Sequence, residues 1–219
     1  MSDPRHAPWQ PTEILLREER RRVAARLLRR VDRFPRPGDA CLEIGYGRIG
    51  WLGDLLSWGL RSADLHGIEI DPDRAAVAHE ALPGADLRVG DARALPWPNA
   101  TFRLVVVSTV FTSILDDDTR RAIAAEIERV LAPAGALLWY DFRVDNPRNP
   151  RVRRVGRRTL RHLFPRLVGP IQSVSLAPPI ARLVAPLSHR FADVLAAVPF
   201  LRTHLLAVLT PRDARASNR

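Results

Sequence analysis

Cys41-Leu42-Glu43-Ile44-Gly45-Tyr46-Gly47-Arg48-Ile49-Gly50 decides the fold of this chain. Ala40 to Ile44 is an apolar run that reads as a strand, and a G-x-G-x-x-G follows at Gly45, Gly47 and Gly50. A helical pattern, Ile49 to Trp58, begins at once. Glycine lets the backbone turn sharply off a strand end and lets a ligand approach where a Cβ would stand. The stretch therefore predicts a nucleotide-like cofactor at the carboxyl edge of a sheet.

Outward from this turn, strand and helix patterns alternate. Leu65 to Ile70 reads as a second strand. Asp71 then caps a helix that has Pro72 at its first position and ends near Pro83-Gly84. Asp86 to Val89 is a short third strand. Leu104 to Val110 is the continuous apolar run of a strand buried on both faces. A helix from Thr119 to Leu131, started by Asp116 to Asp118, leads to a fifth strand, Ala136 to Phe142. Such alternation predicts an α/β fold, a doubly wound, mostly parallel, seven-stranded Rossmann-like sheet with helices on both faces.

The flanks read differently. Residues 12–34 form an amphipathic helix with Leu15, Leu16, Val23, Leu27, Leu28 and Val31 at helical spacing. After Phe142 come a polar loop, an Arg-rich helix (Val152 to Phe164), and strands at Ile171 to Leu176 and Thr203 to Leu209. Between those strands lies an apolar, Pro-interrupted helical insertion, 178–198. The expected divisions are an N-terminal helix and cap (1–37), a cofactor-binding core (38–142), a substrate-side part (143–211) and a tail (212–219). The insertion has four readings: a lid over an apolar substrate, a rest against a membrane interface, a core cover or a homodimer face.

All 34 basic residues are arginine and the net charge is +10. Codon usage rich in G and C yields such a set, and so does selection for an anionic partner. No apolar run reaches the about 20 residues that span a bilayer. Met1 to Pro11 lacks a signal-peptide layout. Cys41 is the one cysteine, which fits a reducing cytoplasm. The expected location is cytoplasmic, with peripheral membrane contact as the variant. The six histidines have no metal-ligand spacing, so no metal is expected.

Four features sharpen the glycine turn: Glu43 just before it, Glu69 ending the second strand, Gly90-Asp91-Ala92 ending the third, and Phe102 to Val107 leading to Arg129-Val130-Leu131-Ala132-Pro133-Ala134-Gly135. As a set, in this order, they resemble the class I S-adenosylmethionine-dependent methyltransferases, and within them the small-molecule branch similar to quinone-biosynthesis enzymes. The resemblance covers roughly residues 38–142. It implies S-adenosyl-L-methionine as cofactor and S-adenosyl-L-homocysteine as product.

By that resemblance, Glu43 organises the turn and approaches the methionine amino group. Gly45, Tyr46 and Gly47 border the methionine part, and the Ser108 carbonyl faces its amine. Glu69 accepts from both ribose hydroxyls, Ile70 packs on the adenine, and Asp91, with the Ala92 backbone beside it, accepts from the adenine amino group. The sequence departs from the pattern at Tyr46 and Arg48, where small residues are commoner, at Arg103 in place of an Asp, and at Ala134 in place of a Gly. Arg48 is expected to point outward.

Methyl transfer from a sulfonium requires the nucleophile in line, about 3 Å away, and water excluded. A general base is needed only for a nucleophile of high pKa. Catalytic residues are therefore not assigned by the sequence. Substrate-facing candidates follow the fourth and fifth strands: Thr109, Phe111, Thr112 and Ser113, then Tyr140, Asp141, Arg143, Asn146 and Asn149. The expected acceptor is a small-molecule or lipid-like biosynthetic intermediate, with an anionic group suited to the arginines. RNA methylation is disfavoured, because Ser108-Thr109-Val110-Phe111 stands where an Asn/Asp-Pro-Pro-Tyr motif would. A non-catalytic binding or regulatory module of the same fold is the remaining alternative, and a nicotinamide enzyme is disfavoured by Glu43 and Asp91.

Overall fold

The structure is a computed structural model that describes residues 9–145, 149–184, 195 and 198–212. Among the described residues there are eight strands: β1 (Cys41–Ile44), β2 (Leu65–Glu69), β3 (Asp86–Val89), β4 (Phe102–Ser108), β5 (Leu131–Phe142), β6 (Leu167–Val168), β7 (Ile171–Leu176) and β8 (Arg202–Pro211). They make one sheet in the order β3-β2-β1-β4-β5-β8, with β7 and the short β6 side by side along the outer edge of β8. The first five strands are parallel, and β8 runs antiparallel to β5.

The expected strand Ile171–Leu176 appears with the bounds read as β7, and a break in the pairing separates it from the two-residue β6, an eighth strand that the sequence reading did not include. The break lies at Gly169-Pro170, where the chain crosses so close to β8 that a Cβ on Gly169 would sit 2.0 Å from the Val208 carbonyl oxygen. The ladder continues through Pro170, whose carbonyl accepts from Val208 N at 3.1 Å.

The helices that cover the sheet include α1 (Pro11–Arg30), α2 (Leu52–Ser57), α3 (Pro72–Ala81), α4 (Asp117–Val130), α5 (Arg157–Leu163) and α6 (Pro178–Val184). Strand residues alternate between two apolar layers. Cys41, Leu104, Val106 and Leu138 pack with Leu27 of α1, Leu55 of α2 and Ala78 of α3. Leu42, Val105, Val107 and Trp139 pack with Ile127 of α4 and Leu160 of α5. This is the period-2 burial that a sheet covered on both faces needs. The N-terminal helix and the C-terminal part belong to the same body, since α1 packs on the shared core and β8 pairs with β5.

Several element ends move for visible reasons. The first helix stops at Arg30 rather than Phe34, because Asp32 turns left-handed (φ 54°) and Arg33 N donates back to Leu28 O. β4 ends at Ser108 rather than Val110, because Thr109 also takes a positive φ of 56°. Only 157–163 of the Arg-rich stretch is helical. Its first part is an extended strap, Arg153 N donating to Thr112 O and Val155 N to Phe142 O. The start signal at Asp71-Pro72 appears as read, the Asp71 carboxylate accepting from Asp73 N at 3.0 Å and Arg74 N at 3.2 Å. Of the apolar insertion, α6 and a short turn, Pro199–Leu201, are described, whereas Leu187, Phe191 and Val194 lie outside the described residues.

Candidate functional site

A cavity of about 580 Å³ opens at the carboxyl ends of β1, β2, β3 and β4. Gly45, Glu69, Ile70, Asp91, Ala92 and Ser108 all line it, so six of the nine sequence-predicted cofactor residues meet in one place. Gly47 stands at the rim of an adjoining 540 Å³ cavity with Arg48 and Asp71. Arg48 is exposed, as its outward orientation requires. Glu43 and Tyr46 line neither cavity.

Glu43 lies beneath the turn, 1% exposed. Its Oε2 accepts from Trp51 N at 2.7 Å and Leu52 N at 3.0 Å, two donors that open α2. A Cβ on Gly50 would lie 2.4 Å from the other carboxylate oxygen, and Gly50 has φ +55°, so this position requires glycine twice over. Burial pushes the Glu43 carboxyl up to about 8 against the lowering pull of those two backbone donors. Its place is that of an internal brace of the glycine turn, and the expected approach to the ligand's amino group is not what its contacts display.

Tyr46 also turns inward. Its ring takes the space above Gly67, where a Cβ would come within 2.4 Å of Tyr46 Cδ1, and its hydroxyl donates to Arg88 O at 3.4 Å. A tyrosine replaces a small turn residue here because β2 supplies a glycine directly below it. Its side chain thus points away from the cavity, so that only its backbone is left to border a ligand at the turn.

Glu69 and Asp91 keep acceptor capacity towards the cavity. Glu69 Oε2 accepts from Gly47 N at 2.8 Å and Oε1 from Asp71 N at 3.1 Å, which ties the glycine turn to the end of β2 and leaves each oxygen a further lone pair. Asp91 is held by Arg93, through its backbone N at 2.8 Å and its guanidinium at 2.7 Å, and these bonds keep its carboxyl below the usual range. Ile70 is 72% exposed, an apolar side chain with no protein over it.

The substrate-facing candidates divide. Thr109 and Ser113 line the cavity. Phe111 is fully buried against Trp139, their rings 4.6 Å apart. Thr112 is 2% exposed, its hydroxyl donating to Asp141 Oδ1 and its N to Asp141 Oδ2 at 3.1 Å. Burial pushes the Asp141 carboxyl up to about 7. Tyr140 stacks on His204, 4.6 Å between rings, and its hydroxyl shares a 2.8 Å hydrogen bond with Ser175. Burial drives that imidazole down to about 3, so it is neutral. Arg143 donates to Arg202 O at 2.9 Å. Asn149 accepts from Arg151 N at 3.1 Å in a turn. Asn146 lies outside the described residues. Phe111, Thr112, Tyr140 and Asp141 thus brace the strand ends instead of facing a ligand.

The sequence reading missed three groups. Val110, Ile114 and Ile123 form an apolar wall of the cavity opposite Glu69. Arg93 holds Asp91, and the Asp-x-Arg spacing was its signal. Arg20 of α1 lies over the Trp51 ring at 4.6 Å and the Tyr140 ring at 5.4 Å, with Asp54 3.5 Å away. Among the described residues, no group of three His, Cys, Asp or Glu side chains is placed to hold a metal ion.

The profile of the methyltransferase domain family matches residues 41–135, which span β1 to the start of β5 and hold the cavity. Over these residues the sequence is similar to a methyltransferase domain. No curated protein matches the sequence. Solved structures do. The chain is 17% identical to geranyl diphosphate C-methyltransferase from Streptomyces coelicolor, solved with Mg²⁺, geranyl-S-thiolodiphosphate and S-adenosyl-L-homocysteine, with 95% of this chain and 82% of that one covered and a TM-score of 0.66. An S-adenosylmethionine-dependent methyltransferase from Methanosarcina mazei is 17% identical over 82% of this chain and 95% of its own, at 0.59. The [4+2]-cyclase SpnF is 16% identical over 87% and 81%, at 0.60. The fold is that of the class I methyltransferases, and the third likeness is to a protein named for another reaction.

Proposed function

We propose that the chain is an S-adenosylmethionine-dependent methyltransferase acting on a small-molecule or lipid-like acceptor. One observation carries this reading: a single cavity presents the Glu69 and Asp91 carboxylates, the uncovered Ile70 side chain and the glycine turn together. The residues fit the cofactor. Glu69 suits two vicinal ribose hydroxyls, because a charged acceptor makes stronger hydrogen bonds. Ile70 and the wall of Val110, Ile114 and Ile123 suit a planar base between apolar surfaces. Asp91, with Ala92 beside it, suits the exocyclic amine. Gly45 lines the cavity with its backbone at a positive φ of 69° and packs so close to Val110 that a Cβ there would meet Val110 Cγ2 at 2.6 Å, which suits a turn bordering the amino-acid end.

The cofactor would supply an activated methyl group on sulfur. The chain's own residues bind, orient and exclude water. Glu43 keeps the turn rigid beneath the ligand. Thr109 and Ser113 face the cavity beyond Ser108, and the hydroxyl of Thr109 donates to Ser108 O at 2.8 Å, so that carbonyl already has one partner. The likeness to a prenyl-diphosphate methyltransferase supports an anionic, lipid-like acceptor, and the arginines of the C-terminal part support it too.

The test is calorimetric titration of the protein with S-adenosylhomocysteine, beside NAD and with a Glu69→Ala control. Micromolar binding of the first ligand alone, lost in the control, is the expected outcome. Well-folded protein that binds neither would overturn the reading. Release of labelled methyl product from candidate prenyl-diphosphate and quinone-like acceptors then identifies the substrate.

A further inference from the structure

The charge of the chain is unevenly spread. Residues 1–142 carry 19 arginines against 21 carboxylates, and residues 143–219 carry 15 arginines against three aspartates. Codon usage raises arginine everywhere. It does not strip carboxylates from one part. The split follows the sheet, since β1 to β5 come from the first part and β6 to β8 from the second. The molecule is close to neutral towards β3 and strongly cationic towards β7.

Around β7 the arginines are exposed. Arg157, Arg158 and Arg161 of α5 face solvent, with Arg151 and Arg154 before them, and Arg157 donates to Ile171 O at the start of β7 at 2.7 Å. Arg154 pairs with Asp145, while Arg151, Arg158 and Arg161 have no carboxylate in reach among the described residues.

The far end of β7 is apolar on its outside. α6 follows it, and the turn before β8 is tied to it by Ala177 N donating to Leu201 O at 2.8 Å. Ala181 and Val184 of α6 face inward, onto Leu15 of α1 and Leu176 of β7. Leu183 on the outer side is 71% exposed and Phe200 on the turn is 81% exposed. Trp9 and Ile14, at the start of α1 beside the same cluster, are 74% and 38% exposed. Single exposed apolar residues are ordinary, but here four large ones flank, in sequence, the members of one small cluster, Leu15, Val184 and Leu201 among them.

We propose that the β7 end of the molecule docks on an anionic lipid bilayer. The arginines lie against headgroup phosphates, while Leu183, Phe200 and Trp9 enter the boundary between headgroups and acyl chains. A nucleic acid would satisfy the arginines and offer Leu183 no apolar phase. A second copy of the chain would set one cationic end against another. This surface is separate from the cofactor cavity and does not rest on the methyl-transfer reading.

The test is co-sedimentation of the full chain with vesicles of phosphatidylcholine alone and of phosphatidylcholine with about 30% phosphatidylglycerol. Each is run in about 0.1 M and about 0.5 M salt, because screening by salt marks the charge contribution. Two variants accompany it, Leu183→Glu/Phe200→Glu and Arg158→Glu/Arg161→Glu. All four positions are exposed, and thermal melting confirms the fold. The expected result is binding to the anionic vesicles only, weakened about tenfold or more by high salt and by either variant. Equal binding to both vesicles, or none by folded protein, would overturn the proposal. So would indifference to Leu183→Glu/Phe200→Glu, with an RNA oligonucleotide bound as tightly as the vesicles. A dimer in solution that the same variant dissolves would assign the patch to a second copy instead.

Discussion

The carboxyl ends of β1 to β3 and those of β4 and β5 are both rich in polar side chains, yet they are built for different work. Glu69 and Asp91 end their strands at an open cavity and hold lone pairs towards it. Thr112, Tyr140 and Asp141 spend their polar atoms on one another, on Ser175 and on backbone donors, inside the protein. The reason is cover. Past β5 the chain returns as an extended strap on one face and as β7 with α1 on the other, so successive residues of β5 are buried whichever way they point. A polar residue at a strand end is a candidate ligand contact only where nothing later in the chain closes over it.

The comparison breaks most sharply at Glu69. On the proposed reading, Glu69→Ala would remove two charge-assisted bonds to a ribose, a loss of about 3 kcal/mol, or roughly 100-fold in affinity for S-adenosylhomocysteine. Calorimetry reads the affinity. A titration curve like that of the wild type would place the ribose elsewhere.

Asp141→Ala probes the other side and moves the other quantity. It leaves Thr112 N, the Thr112 hydroxyl and Phe142 N without their buried acceptor, a cost of about 2 kcal/mol in unfolding free energy. Affinity for S-adenosylhomocysteine should stay within about threefold, since this carboxylate touches no cavity wall. Denaturant unfolding and calorimetry on one sample check both numbers. A large affinity loss with unchanged stability would return Asp141 to the ligand-facing set.

The two sides also share a pH signature. Glu43 and Asp141 titrate higher in the fold than in the unfolded chain, at about 8 and about 7, so between their unfolded values near 4.5 and 4 and those limits the native state holds the extra protons. Stability is present at low pH and is lost as pH rises through that window. His204, lowered to about 3, acts in the opposite sense from about 6.5 downwards, because its unfolded form takes up the proton. The net slope is downward from about pH 4.5 to 8 and steepest just above 6.5, at roughly 1.4 kcal/mol per pH unit for each proton not offset. Thermal melting across about pH 5 to 8 checks the sign, and Glu43→Gln should flatten the upper part of the curve.

How much of this was legible follows from what each residue depends on. Asp71-Pro72 starts its helix as read, because a cap and a first-turn proline act locally. The parallel pairing of β1 to β5 follows from the alternation of strand and helix patterns. Glu69, Ile70, Asp91 and Ala92 reach the cavity because their places at strand ends leave little choice. The inward turn of the Tyr46 side chain was not legible, since it depends on Gly67, far along the chain and on another strand. Glu43 was half read: its link to the turn is local, and its closure beneath Gly50 is tertiary. The short β6, parted from β7 at Gly169, was missed because it rests on how close the chain comes to Val208, a tertiary contact.

Asp91 offers the smallest and most discriminating test. Its carboxylate is partly open to solvent and already bonded to Arg93, so the proposed hydrogen bond to an adenine amine would be made in competition with water and a guanidinium. Asp91→Ala should weaken S-adenosylhomocysteine by about 1 kcal/mol, close to fivefold, and leave the melting temperature nearly unchanged. The analogue in which inosine replaces adenosine has a ring carbonyl in place of the amine. It should bind the wild type less well, and the difference should shrink in Asp91→Ala. A ratio untouched by the substitution would mean that the Ala92 backbone alone reads the base and that Asp91 serves only to hold the loop after β3. The open end of the sheet would then owe its ligand contacts to one carboxylate instead of two.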